Sequence, residues 1–187
     1  MLSISNAPVQ DRILAAAASC VVDFGVERVT LAEIARRAGV SRPTVYRRWP
    51  DTRSVLAALL TSHITEALAE VPARGSGRAA LVDRVVAVAE RLRGDELVMA
   101  VLRSELALVY IAQRLGSSQQ MLIEALADGL RAAQSDGSVR PGDPRQMAAM
   151  VLLITQSTIQ SAQIVRPILD ADALATELAH SLNGYLA

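Results

Sequence analysis

Residues 30–53 read TLAEIARRAGVSRPTVYRRWPDTR, and this stretch decides the fold. Thr30-Leu-Ala-Glu33 is a capping-box pattern: the Thr30 hydroxyl can accept from an orphan backbone N–H, and Glu33 can reach back to the Thr30 amide. A short helix to Ala38 is predicted, and Gly39 then supplies a tight turn that a side chain would hinder. Ser41 can cap a second short helix, in which Pro43 is tolerated because first-turn amides have no helical partner. That helix ends near Trp49-Pro50, and Asp51 can cap the next. Two short capped helices about a Gly39-Val40 turn form a helix-turn-helix. Ile34 and Ala35 should face its core, Ala38 must be small at the crossing, and Val40 and Val45 should plug the junction. Arg42, Pro43, Thr44, Arg47 and Arg48 are then presented towards a groove, with Tyr46 beside the backbone.

Outward from this unit the helical signal continues. Upstream, Ile13, Ala17, Val21 and Phe24 recur at spacings of three and four, which predicts an amphipathic helix over 9–24. Gly25 is placed to end it in the left-handed conformation. Downstream, helices are predicted over 51–70, 77–92, 95–106, 111–133, 143–165 and 170–186. A Pro72/Gly75 linker and a loop at 135–144 interrupt them. The expectation is an all-α chain of about nine helices. Residues 1–53 would form a three-helix unit around the helix-turn-helix, and residues 54–187 a second helical domain.

Charge supports the division. The 187 residues carry 19 basic and 19 acidic side chains, a formal net charge of zero. Within 26–53, however, seven arginines (28, 36, 37, 42, 47, 48, 53) face three acids, or +4, and the remainder carries −4. A basic segment on an acidic protein is the electrostatic footprint of a nucleic-acid module. Every basic residue is arginine, whose planar fork suits phosphate and guanine. A helical-bundle enzyme or binding protein without DNA binding is the alternative, and the +4 segment and the capped turn argue against it.

The order Ile13…Phe24-Gly25…Thr30-x-x-x-Ile34-Ala35-x-x-Ala38-Gly39-Val40-Ser41-x-x-Thr44-Val45-Tyr46-x-x-Trp49-x-x-x-Arg53-x-x-Leu56 resembles the N-terminal signature of the TetR family of transcriptional regulators. Trp49 stands where the family more often has Phe, and Arg53 where it often has Lys; both keep the physical role. The resemblance implies that Thr30, Tyr46 and Arg53 contact phosphates. Ser41 and the first amides of its helix can do the same. Arg42, Thr44 and Arg47 are candidates for base edges: an arginine can bridge guanine O6 and N7, and the Thr44 methyl can touch a thymine methyl. Trp49 is expected in the core. The resemblance further implies that residues 1–53 are the DNA-binding domain and residues 54–187 the ligand-binding and dimerisation domain. It implies a repressor that binds a palindromic operator as a dimer and is released by a small-molecule effector.

The rest of the chain offers weaker signals. An apolar effector pocket is expected between the helices beginning near Asp95, Ile111 and Asp143, lined by Met99, Leu106, Tyr110, Met121, Met150 and Gln156. Residues 147–165 carry no charge over about 28 Å of helix, so both of its sides should be covered. With the stripe Leu174, Leu178, Leu182 and Tyr185, this helix is expected to build a homodimer interface, with Gln160 and Gln163 at its edge. Seven polar side chains between Thr155 and Gln163 argue against a membrane span there. No export signal is visible, and a cytoplasmic protein is expected. The single cysteine, Cys20, excludes an intrachain disulfide and is expected to be buried and inert. Glu177-x-x-His180 has the spacing of a di-iron ligand pair but lacks the second copy such a site needs. No metal, cofactor or catalytic constellation is expected.

Overall fold

The computed structural model describes residues 8–104 and 116–187. Among them run nine α-helices and no strand. They are α1 (Val9–Phe24), α2 (Leu31–Ala38), α3 (Arg42–Arg48), α4 (Thr52–Glu70), α5 (Gly77–Arg93), α6 (Glu96–Arg103), α7 (Ser117–Ser135), α8 (Pro144–Val165) and α9 (Ala171–Leu186). The chain is all-α, as its periodicity predicts. The helix start expected at Ile111 lies outside the described residues.

Two compact units form. The first holds residues 8–63 and 96–104 among those described. Ile13, Ala17, Cys20 and Val21 of α1 are buried against Ile34, Ala35 and Ala38 of α2 and Val45 of α3. Trp49 lies in the same core at 8% exposure, as do Val55, Leu56 and Leu59 of α4 and Leu97 and Val101 of α6. This core therefore extends past residue 53. Gly25 ends α1 at φ 77°, ψ 155°, a positive φ but not the left-handed helical turn expected there. Its amide donates to the Val21 carbonyl at 2.9 Å, and Arg28 Nε donates to the Phe24 carbonyl at 2.7 Å.

The second unit holds residues 64–95 and 116–187 among those described. Here α7 packs along α8, and α5 lies against α7, α8 and α9. Asp143 starts α8 by accepting from the amides of Arg145 and Gln146, and Asp170 starts α9 by accepting from Ala173. Arg140 fastens the loop before α8 to the end of α9: its amide and Nε donate to the carbonyls of Leu186 and Tyr185, and its guanidinium stacks on the Tyr185 ring.

The expected dimer stripe is corrected by this packing. Leu174, Leu178 and Leu182 are 7%, 5% and 0% exposed within one chain. They form the inner face of α9, covered by the chain's own α5 and α8. Tyr185 is half-buried under Arg140. A different apolar surface stays open. On α8, Met147, Ala148, Val151, Thr155 and Ile159 turn inward. The opposite face carries Met150, Leu153 and Ile164 at 43%, 60% and 80% exposure, continued past the helix by Ile168 at 86%. Ser157 lies on that face, exposed, and Gln160 and Gln163 are half-buried and exposed beside it. By length and composition α8 could cross a membrane. It also carries polar side chains: Thr155 and Thr158 donate to carbonyls four residues back, Gln156 Oε1 accepts from Gln119 Nε2 at 3.3 Å, and Ser157 and Gln163 are exposed.

Candidate nucleic-acid interface

The site is assembled on the first unit. Thr30 Oγ1 accepts from the Glu33 amide at 3.2 Å, so the first half of the predicted capping box forms. The second half does not. The Glu33 carboxylate turns instead to Arg36, at 2.8 and 2.6 Å, and to Arg37 Nε, at 3.0 Å. These two guanidiniums, Arg36 first, hold its carboxyl down from the ordinary 4.5 to about 2. Because the folded-state value is depressed, the stability this carboxylate adds is present above about 4.5 and is lost as pH falls towards 2.

Gly39 adopts the left-handed conformation at φ 63°, ψ 38° and closes α2. Two residues later Ser41 caps α3: its Oγ accepts from the Thr44 amide at 3.4 Å and lies 2.7 Å from Thr44 Oγ1. The Thr44 hydroxyl is thereby occupied locally. Asp51 caps the start of α4 by accepting from the Ser54 amide at 2.7 Å.

Helix α3 has two unlike sides. Val45 is fully buried, and Trp49, four residues on, continues the same inward line. Arg42, Pro43, Tyr46, Arg47 and Arg48 are exposed, Tyr46 at 51%, and Thr44 is half-buried. Thr30, Ser41 and Arg53 are exposed as well. Thr30 and Arg42 line one open groove with Glu33, Arg36 and Val40. Of the nine residues expected to meet DNA, Thr30 and Ser41 cap α2 and α3, six lie on α3, and Arg53 is in the first turn of α4.

The seven arginines of the basic segment are not equivalent. Arg28 caps α1, Arg36 and Arg37 pair with Glu33, and Arg48 Nη1 donates to Gln10 at 3.2 Å. Among the described residues the guanidiniums of Arg42, Arg47 and Arg53 make no hydrogen bond or ion pair within the chain, so their donors are open to a ligand. Sequence reasoning overlooked Arg12, whose Nη2 donates to the carbonyls of Ala38 and Gly39 at 2.6 and 3.1 Å. It also overlooked Asp23 and Ser19, which bind Arg37. The i+3 and i+4 spacing of Arg36 and Arg37 from Glu33 was a readable signal for their pairing. Nothing in the sequence marks partners 14 to 27 positions away.

The profile of the bacterial regulatory proteins of the tetR family matches residues 13–59, the same helices that build this surface. The HTH-type transcriptional regulator Rv2250c of Mycobacterium tuberculosis (strain ATCC 25618 / H37Rv) is 70% identical over 188 residues, covering all of both chains. This chain belongs to the TetR family. It is therefore a DNA-binding transcriptional regulator and not an enzyme. Among solved structures, the TetR-family repressor QsdR of R. erythropolis shares the fold at a TM-score of 0.69 and 18% identity, over 96% of each chain. The regulator FadR of Bacillus subtilis, in complex with stearoyl-CoA, aligns at 0.68 and 18% identity over 95% of this chain and 99% of its own.

The candidates for the effector pocket are distributed unevenly. Met99 is buried in the first unit, whereas Met121 and Gln156 are half-buried in the second. Met150, expected in a pocket wall, is 43% exposed on α8, beside the open face that carries Leu153 and Ile164. Leu106 and Tyr110 lie outside the described residues. Cys20 is fully buried, and that burial raises its thiol pKa. Glu177 and His180 are both exposed on α9.

Proposed function

We propose that this TetR-family regulator is a cytoplasmic, homodimeric repressor that binds a palindromic operator and leaves it when a small, mostly apolar effector binds. The observation that carries this reading is the outer face of α3, where Arg42 and Arg47 are exposed and unpaired beside Tyr46. Residues 1–53 hold the DNA contacts. Thr30, Ser41, Tyr46 and Arg53 meet phosphates, and Arg42, Thr44 and Arg47 meet base edges, with Pro43 and Arg48 on the same face. With its hydroxyl 2.7 Å from Ser41 Oγ, Thr44 offers its methyl to thymine.

Residues 54–187 hold the effector and the partner subunit. The effector site draws on Met121 of the second unit, with the half-buried Gln119–Gln156 pair as a polar anchor. The stearoyl-CoA in a fold neighbour supports an apolar acyl chain as the first class to try. The dimer forms on the open apolar face of α8 around Leu153 and Ile164, in place of the α9 leucine stripe. Release needs an effector that binds the non-operator arrangement more tightly than the operator-bound one. The test is titration of long-chain fatty acids and their CoA thioesters into the protein–operator complex. The reading expects one member to dissolve the complex and raise Tm. A full panel that changes neither DNA binding nor Tm removes the acyl effector.

A further inference from the structure

We infer that Arg12 and Arg37 are positioning residues for DNA recognition: they hold the α2–turn–α3 reading head on α1 and make no contact with DNA. This rests on the DNA-binding role of the family and adds the residues that aim it.

Arg12 lies on α1 and reaches across 26 and 27 positions to the carbonyls of Ala38 and Gly39. These are the last residue of α2 and the turn residue, whose carbonyls have no helical partner. A guanidinium there makes charge-assisted bonds, the strong kind. The approach is close: a Cβ on Gly39 would stand 3.2 Å from Arg12 Nη2. Gly39 therefore serves both the positive φ of the turn and the seat of Arg12.

Arg37 fastens α2 from its other side. Although it belongs to the basic segment, its side chain is only 18% exposed. Its Nη1 donates to Ser19 at 2.7 Å and to Asp23, its Nε donates to Glu33, and its guanidinium lies 4.5 Å from the centre of the Phe24 ring. Ser19, Asp23 and Phe24 all sit in the last turns of α1. Two arginines thus lock the second half of α2 and the turn to α1. Only Val40 and Ser41 separate the turn residue from α3, so the aim of Arg42 and Arg47 follows from this lock. Bidentate base contacts depend on such aim.

The experiment measures operator affinity against salt for Asp23→Asn, Arg37→Gln, their double variant and Arg12→Gln, by fluorescence anisotropy of labelled duplex. Asp23 is half-exposed, so its variant should fold, and circular dichroism checks the others at the assay temperature. Removing an acid from a DNA-binding unit raises affinity if charge alone acts. The inference expects the opposite: Asp23→Asn weakens binding about tenfold, and so does Arg37→Gln. The double variant should bind little more weakly than either single one, because both break one link. The slope of log affinity against log salt should stay at the wild-type value in all four. Tighter or unchanged binding by Asp23→Asn overturns the inference, as does a slope reduced by about 0.9 or more in Arg37→Gln, which marks a phosphate ligand. If the wild-type chain binds no selected DNA, the DNA-binding reading itself fails. Wild-type binding with either adverse result removes only the positioning role.

Discussion

Replacing both Leu153 and Ile164 with arginine is expected to leave the fold intact, convert the protein to a monomer and lower operator affinity by about a hundredfold or more. These side chains are 60% and 80% exposed in the single chain, so the fold does not depend on them. They share the open face of α8 with Met150, on a helix uncharged over residues 147–165. In water such a face is stabilised by covering it, at about 1.5–3 kcal/mol for each large apolar side chain fully buried. A two-fold axis brings the face onto itself, so each substitution enters the interface twice and buries unpaired charge. The effect on DNA follows from linkage. Two tethered reading heads see each other's half-site at millimolar effective concentration, and a monomer forfeits that gain. Leu182→Ala is the control. Leu182 is fully buried in the chain's own core, so the change should cost about 2–5 kcal/mol of stability while the dimer persists. Sedimentation equilibrium at micromolar concentration decides the matter: unchanged mass for the double arginine variant refutes the α8 interface.

The second large effect concerns the unpaired arginines. Operator binding should fall steeply with salt, because each neutralised phosphate releases condensed counterions, with a slope of about −0.9 for each phosphate met. Arg53→Ala should weaken binding to every sequence and, counted over two subunits, lower the slope by about 1.8. Tyr46→Ala should weaken all sequences alike while leaving the charge unchanged. Arg47→Ala should also relax base preference, at a cost of about 1–3 kcal/mol for each bidentate arginine–guanine pair it removes. Competition of operator against mutated duplexes across a salt series separates the two behaviours. Salt-insensitive wild-type binding, or wild-type behaviour in all three variants, would remove these residues from the interface.

Much of this architecture is legible in the sequence. α1 occupies Val9–Phe24 because its apolar residues recur at helical spacing, and Thr30, Gly39 and Ser41 punctuate the next two helices as their chemistry predicts. These are local signals, carried by neighbours three or four positions apart. What is not legible is non-local. Seven arginines form one charge cluster in sequence, but Arg37 turns inward because Asp23 and Ser19 lie beside it in space. The leucine stripe of α9 looks the same whether it faces a partner or the chain's own core, and only the packing of α5 and α8 assigns it to the core. The uncharged run at 147–165 has a meaning that periodicity alone does not divide. One side of it serves the core, and the other stays open in the single chain.

Selection of bound duplexes from random double-stranded DNA, by the full-length protein at physiological salt, tests the dimeric DNA reader as a whole. Enrichment of one palindromic site is expected, with half-sites about one helical turn, or a multiple of it, apart, as two major-groove helices related by a two-fold axis require. Recovered pools no different from the starting pool would contradict it.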